Sequence, residues 1–180
     1  MIKTDNNKNK IIIARIVLIF LILCWMNVIF DFSADTDVES QSLSDKITIK
    51  IVRIIKPNYD NLTTSEQIKI FDTASYLVRK TGHMCEYAML GVLVSLLLYT
   101  FERIRKNTKW FGRLLLATYG IVILYAVSDE LHQGFVKGRS PEVVDVLIDG
   151  IGGLLGALVV IGVIKIIRRI KIKREREIYD

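Results

Sequence analysis

Between two apolar stretches the chain carries Ser128-Asp129-Glu130-Leu131-His132-Gln133, followed by Gly138-Arg139, with Asp145 and Asp149 inside the next apolar stretch. Carboxylates beside imidazoles can divide acid and base roles. A guanidinium can pair with those carboxylates or bind a phosphate or carboxylate on a ligand. Ionisable side chains are expensive in or beside hydrocarbon, so such a cluster is a functional-site hypothesis by default. A second polar group opens another apolar stretch, where His83 stands at helical spacing beside both Glu86 and Tyr87. The candidate acid and base groups are Glu130, His132 and Asp149, because histidine titrates near neutral pH and burial can separate two carboxylates in pKa. The candidate ligand contacts are His83, Glu86, Tyr87, Asp129, Gln133, Arg139 and Asp145. No cofactor is expected. A divalent ion ranks lower, since His83, His132, Glu130 and Asp145 or Asp149 would have to converge from different helices without any H-E-x-x-H spacing.

Four apolar stretches must position these groups. Ile11 to Phe30, His83 to Phe101, Phe111 to Val127 and Val143 to Ile167 each hold roughly 17 to 25 mostly apolar residues, enough to cross a hydrocarbon core about 30 Å thick. With 51% hydrophobic residues and a mean hydropathy of +0.36, the 180-residue chain is too apolar for an ordinary soluble domain. A cleaved signal peptide is the alternative for the first stretch, but that run is longer than a typical apolar region and Phe32 spoils the cleavage site. Lys3, Lys8 and Lys10 precede the first span, while Arg103, Arg105, Lys106, Lys109 and Arg113 follow the second. Seven more basic residues, from Lys165 to Arg176, close the fourth. By the positive-inside bias both termini and the middle connector are cytoplasmic, although Arg79 and Lys80 pull the other way. This sorting, with attraction of the tail to anionic headgroups, accounts for the net charge of +6 without nucleic acid, which is not expected as a partner. Membrane lipids are the expected partners, and the oligomeric state is left open.

The fold expected is an all-α integral membrane protein, with four transmembrane helices in a bundle and a long helical extracytoplasmic loop between helices one and two. Residues 1–10 read as a disordered cytoplasmic tail, 11–167 as the membrane domain with its loop at 31–82, and 168–180 as a basic cytoplasmic tail. Within the loop, Leu43, Ile47, Ile51, Ile54 and Ile55 recur at helical spacing beside Lys46, Lys50 and Arg53 until Pro57, which describes an amphipathic helix on the membrane surface more readily than an edge strand. Thr63 and Glu66 form a capping box for a helix that ends near Arg79 or continues into the second span. Cys24 and Cys85, without metal or redox spacing, are expected to pack. On the fourth span Asp145, Asp149, Gly152 and Gly156 share one stripe, and the small-x-x-x-small spacing allows helix backbones to approach closely. The four span ends that carry the polar residues, including Asp31 and Ser33, then meet at one outward face.

These segments resemble the VanZ-like family of membrane proteins. The similarity rests on Arg79-Lys-Thr-Gly-His83-Met-Cys-Glu86-Tyr87-Ala-Met-Leu-Gly91 and on Leu124 to Ser140, continuing through Val144-Asp145-Val-Leu-Ile-Asp149 to Gly152 and Gly156. It covers most of the chain and is weakest in the 31–82 loop. Lys137 stands where the family usually has proline before Gly-Arg, and Met84 where an aromatic often follows the histidine. Lys137 should leave that turn less rigid. The family takes its name from a protein linked to resistance against teicoplanin, so the resemblance implies a multi-pass protein of the cell membrane and a setting in the cell envelope without supplying a reaction. Two functions follow as expectations. One is binding of a charged headgroup, a lipid-linked envelope precursor or a glycopeptide ligand; the other is catalysis on an envelope lipid or peptide. For the latter, Ser33 is the only nearby hydroxyl nucleophile at which the resemblance hints.

Overall fold

The computed structural model describes residues 2–34, 37–136 and 141–179, with the side chains of 2–7, 37–43 and 178–179 left undescribed. Lys137, Gly138, Arg139 and Ser140, and the side chains of Lys3 and Leu43, therefore lie outside the described residues. The chain is helical: α1 (Ile2–Ala34), α2 (Asp37–Ile55), α3 (Thr64–Tyr99), the single turn α4 (Glu102–Arg105), α5 (Trp110–Gln133) and α6 (Val143–Tyr179). Four of these, α1, α3, α5 and α6, are long and apolar enough to cross a membrane. Among the described residues there is no strand.

Local chemistry sets the boundaries. Pro57 cannot donate into a continuing helix, and α2 stops at Ile55. The Thr63–Glu66 capping box opens α3, with the Thr63 N–H donating to Glu66 Oε2 at 3.0 Å. Nothing interrupts α3 between Arg79 and His83, so the loop helix and the second span are one rod of 36 residues, about 54 Å long. That exceeds the roughly 30 Å a hydrocarbon core requires. The expected tail at 2–10 also continues a helix, α1, because no proline or glycine separates it from the span. At the other terminus α6 runs on past Ile167, where Lys171–Glu175 and Lys173–Glu177 pairs at i,i+4 spacing favour helix in a polar stretch.

The loop helix lies against α3. α2 packs along the first half of α3 through Ser44, Thr48 and Val52, and Ser75 donates to Asp45 Oδ1 at 3.3 Å. Tyr59 ties the intervening turn down, its hydroxyl donating to the Gln67 carbonyl at 3.2 Å. Ile47, Ile54 and Ile55 stay exposed. Thus the small polar side chains, whose size lets α2 approach α3, form the contact and the isoleucine stripe is left out of it. Cys24 and Cys85 differ from expectation, since both sit on helix faces turned away from the neighbours and are exposed.

α3 and α6 share the most extensive interface, and α5 completes a three-helix centre on which α1 rests. Glycine explains the intimacy of α3 and α6. A Cβ at Gly152 would overlap the Met84 carbonyl, and one at Gly156 the Ala88 carbonyl, both backbone groups that cannot move aside. The apolar core joins Ile29, Tyr87, Leu90, Val94, Val122 and Ala126. Trp25 Nε1 donates to the Glu86 carbonyl at 2.9 Å and Tyr125 to the Met26 carbonyl at 2.6 Å, which fixes α1 against α3 and α5. At the opposite end of the bundle Arg15 binds Thr100 and lies over Phe101, while Arg168 bridges Tyr99 and the Arg105 carbonyl. These clasps hold the middle of α1 and the later part of α6 to the short connector around α4.

Candidate functional site

Three helix ends and the middle of α3 meet at one end of the bundle. α1 delivers Ser33 in its last turn, α5 delivers Asp129 and Gln133, which share a side at i,i+4, and α3 supplies Tyr87. Their side chains converge on one oxygen. Asp129 Oδ2 accepts from Ser33 Oγ at 2.8 Å, from the Tyr87 hydroxyl at 3.1 Å and from Gln133 Nε2 at 3.3 Å. Gln133 Nε2 also lies 3.3 Å from Ser33 Oγ. Asp129 is 2% exposed, Ser33 1% and Tyr87 0%, so these bonds are removed from solvent, where each matters most. The other oxygen, Asp129 Oδ1, is buried and has no hydrogen-bond partner among the described residues.

Asp149 faces this network from α6. It is 1% exposed, and its Oδ1 likewise has no hydrogen-bond partner among the described residues. The stripe inferred from the sequence is present: Asp145, Gly152 and Gly156 all meet α3, which draws Asp149 inward with them. The strongest charges acting on Asp149 are acidic, Asp129 foremost and then Asp145, Glu130 and Glu86.

Around the buried pair lies a more accessible ring of charge. Lys80 pairs with Asp145 and, at 3.5 Å, with Glu142. Glu130 Oε1 accepts the Glu142 backbone N–H at 2.6 Å, so the carboxylate caps the segment that enters α6. Such a bond satisfies one of the unpaired donors that every helix start exposes. His83 Nδ1 lies 4.0 Å from Glu86 Oε2 on the same face of α3. His132 stacks on Phe30 of α1 with ring centroids 4.0 Å apart, and its Nδ1 has no hydrogen-bond partner among the described residues.

The ten candidates therefore divide into three groups. Tyr87, Asp129 and Gln133 form one hydrogen-bonded network with Ser33. Glu130, Asp145 and Asp149 gather around it, with His83, Glu86 and His132 on adjacent faces; Arg139 is outside the described residues. Glu130, His132 and Asp149 are not hydrogen-bonded to one another among the described residues, so the acid and base candidates do not form a relay by themselves. Nor is there, among the described residues, a group of three or more His, Cys, Asp or Glu side chains placed to hold a metal ion. Lys80 and Glu142 join the site without being sequence candidates; Lys80 stands one turn before His83 on the α3 face that meets α6, a position readable from helical spacing.

Residues 18–167 match the family model VanZ/LLP1. No curated protein and no solved structure matches the chain.

Proposed function

Because the chain belongs to the VanZ/LLP1 family of membrane proteins, we propose that it works in the cell envelope by binding a charged lipid or other envelope ligand at the polar cluster, and thereby contributes to resistance against teicoplanin-type glycopeptides. The observation that carries this reading is the arrangement of Asp129, held through Oδ2 by Ser33, Tyr87 and Gln133 while Oδ1 is left without a partner among the described residues. A buried carboxylate costs several kcal/mol to desolvate, and a purely structural one would spread its hydrogen bonds over both oxygens. Fixing one oxygen while the other keeps an unmet demand for a donor is how a binding group is preorganised. Around it Lys80 and Glu86 supply charge of both signs, and His83 and His132 imidazole nitrogens, for the remainder of a headgroup.

The catalytic alternative, action on an envelope lipid or peptide through Glu130, His132 and Asp149, lacks a comparable observation. Glu130 is engaged by the Glu142 backbone, and Ser33, the one candidate nucleophile, donates to Asp129 and is not hydrogen-bonded to His132 Nδ1. A nucleophile needs its base within hydrogen-bond reach.

The test is single substitution of Asp129→Asn, Asp149→Asn and Arg139→Gln in the full chain, scored for teicoplanin susceptibility against membrane abundance. The reading predicts that susceptibility rises while abundance is kept. Full resistance in all three variants at wild-type abundance would remove the cluster from the function.

A further inference from the structure

We infer that the group recognised at this site is a primary ammonium, carried on the headgroup of an aminophospholipid, and that Asp129 Oδ1 and Asp149 Oδ1 receive it. The inference rests on the binding role proposed above and names the class of its ligand. Both carboxylates are at least nine-tenths buried, and both keep one shielded oxygen without a hydrogen-bond partner among the described residues. Most described donors nearby are already committed: Ser33, Tyr87 and Gln133 to Asp129 Oδ2, Tyr125 to the Met26 carbonyl, and Lys80 to Asp145 and Glu142, while His132 is stacked on Phe30 and keeps its Nδ1 without a partner among the described residues. Among the described residues, no cationic donor reaches these two oxygens.

Chemistry narrows the choice of cation. A divalent metal wants three or more protein ligands, and no such group exists among the described residues. A quaternary ammonium has no N–H and is recognised by an aromatic cage. Here the candidate rings, Tyr87 and Tyr125, stack on each other at 6.0 Å inside the apolar core. A primary ammonium has three donors, enough for two carboxylate oxygens and one oxygen of its own headgroup. Position favours an amphiphile over a free amine. Asp149 lies in the second turn of α6 and Asp129 near the end of α5, so both stand near the ends of membrane-length helices, the part of a span that approaches lipid headgroups. Exposed Leu131, Val143 and Leu147 flank the same helix ends and offer an acyl chain an apolar surface.

The experiment follows thermal unfolding of the purified full chain in a neutral maltoside detergent. Short-chain phosphatidylethanolamine is compared with phosphatidylcholine, phosphatidylglycerol and water-soluble ethanolamine. The wild type should gain several degrees with phosphatidylethanolamine alone, and Asp129→Asn and Asp149→Asn should lose that gain. Ser33→Ala, which keeps both carboxylates and only loosens Asp129, should weaken phosphatidylethanolamine binding several-fold, and it serves if an Asn variant fails to fold. Equal protection by ethanolamine would keep the ammonium assignment and move its source from lipid to a soluble amine. Protection by phosphatidylglycerol that depends on both aspartates would overturn the ammonium assignment yet leave the binding role standing. Failure of every headgroup, or an undiminished phosphatidylethanolamine gain in the aspartate variants, would overturn both.

Discussion

Asp129 is fixed by two donors from neighbouring helices and one from its own, and each should be separable by mutation. Tyr87→Phe deletes the α3 donor without changing shape, so it should cost about 1 kcal/mol, the usual net worth of a buried hydrogen bond. Denaturant or thermal unfolding of purified protein checks this, and an unchanged midpoint would show that the bond does not hold Asp129. Lys80→Met removes the ammonium that faces Asp145 and Glu142. Its side chain is 16% exposed and that of Asp145 15%, so the full penalty of a broken buried pair is discounted to about 1–2 kcal/mol. Adding Asp145→Asn to Lys80→Met should restore part of the loss, because the stranded charge goes with it. If the double variant is no better than the single, the pair is not coupled. Residue types announced the polar cluster, whereas the choice of partners was not legible. Ser33 and Asp129 are far apart in sequence, and helical spacing puts Lys80 one turn before His83 without naming Asp145 as its partner.

Helix packing made the site possible, and glycine is the means. Gly156 lies under the Ala88 carbonyl, whereas Gly162, on the same helix, has nothing within 4 Å of where its Cβ would stand. Gly156→Ala should therefore destabilise the bundle by about 1–3 kcal/mol through overpacking. Gly162→Ala should be neutral or slightly stabilising, since alanine is the better helix former. Equal effects at the two positions would contradict the close approach of α3 and α6. The small-x-x-x-small stripe was legible from the sequence, including that Asp145 and Asp149 share it. Its partner was not, because Met84 and Ala88 of α3 contribute backbone to the contact, and Gly91, which meets Gly153, has no glycine four residues to either side. The same limit explains α2. Its periodicity specified a helix with an isoleucine face, but that Ser44, Thr48 and Val52 form the face meeting α3 was not legible.

Taken whole, the chain is a membrane protein of the VanZ/LLP1 family whose four long helices gather polar groups at one end and basic groups at the other. The spans were readable because hydrophobic length is a direct physical requirement of crossing a bilayer. The continuity of α3 was not, since a capping box at Thr63 marks where a helix begins and carries no information about where it ends. Basic-residue sorting predicts that the polar end faces outward. In a Cys24→Ala, Cys85→Ala background, a cysteine at Val136 should react with an impermeant maleimide on intact cells, and one at Asn107 only after permeabilisation. The reverse pattern would invert the topology and place the cluster on the cytoplasmic side. The most direct measurement of the binding role is native mass spectrometry of the full chain released from membranes made with a polar lipid extract. Wild-type protein should retain a headgroup-selected lipid that Asp129→Asn and Asp149→Asn do not; identical lipid retention by all three would contradict a ligand site at the end of this bundle.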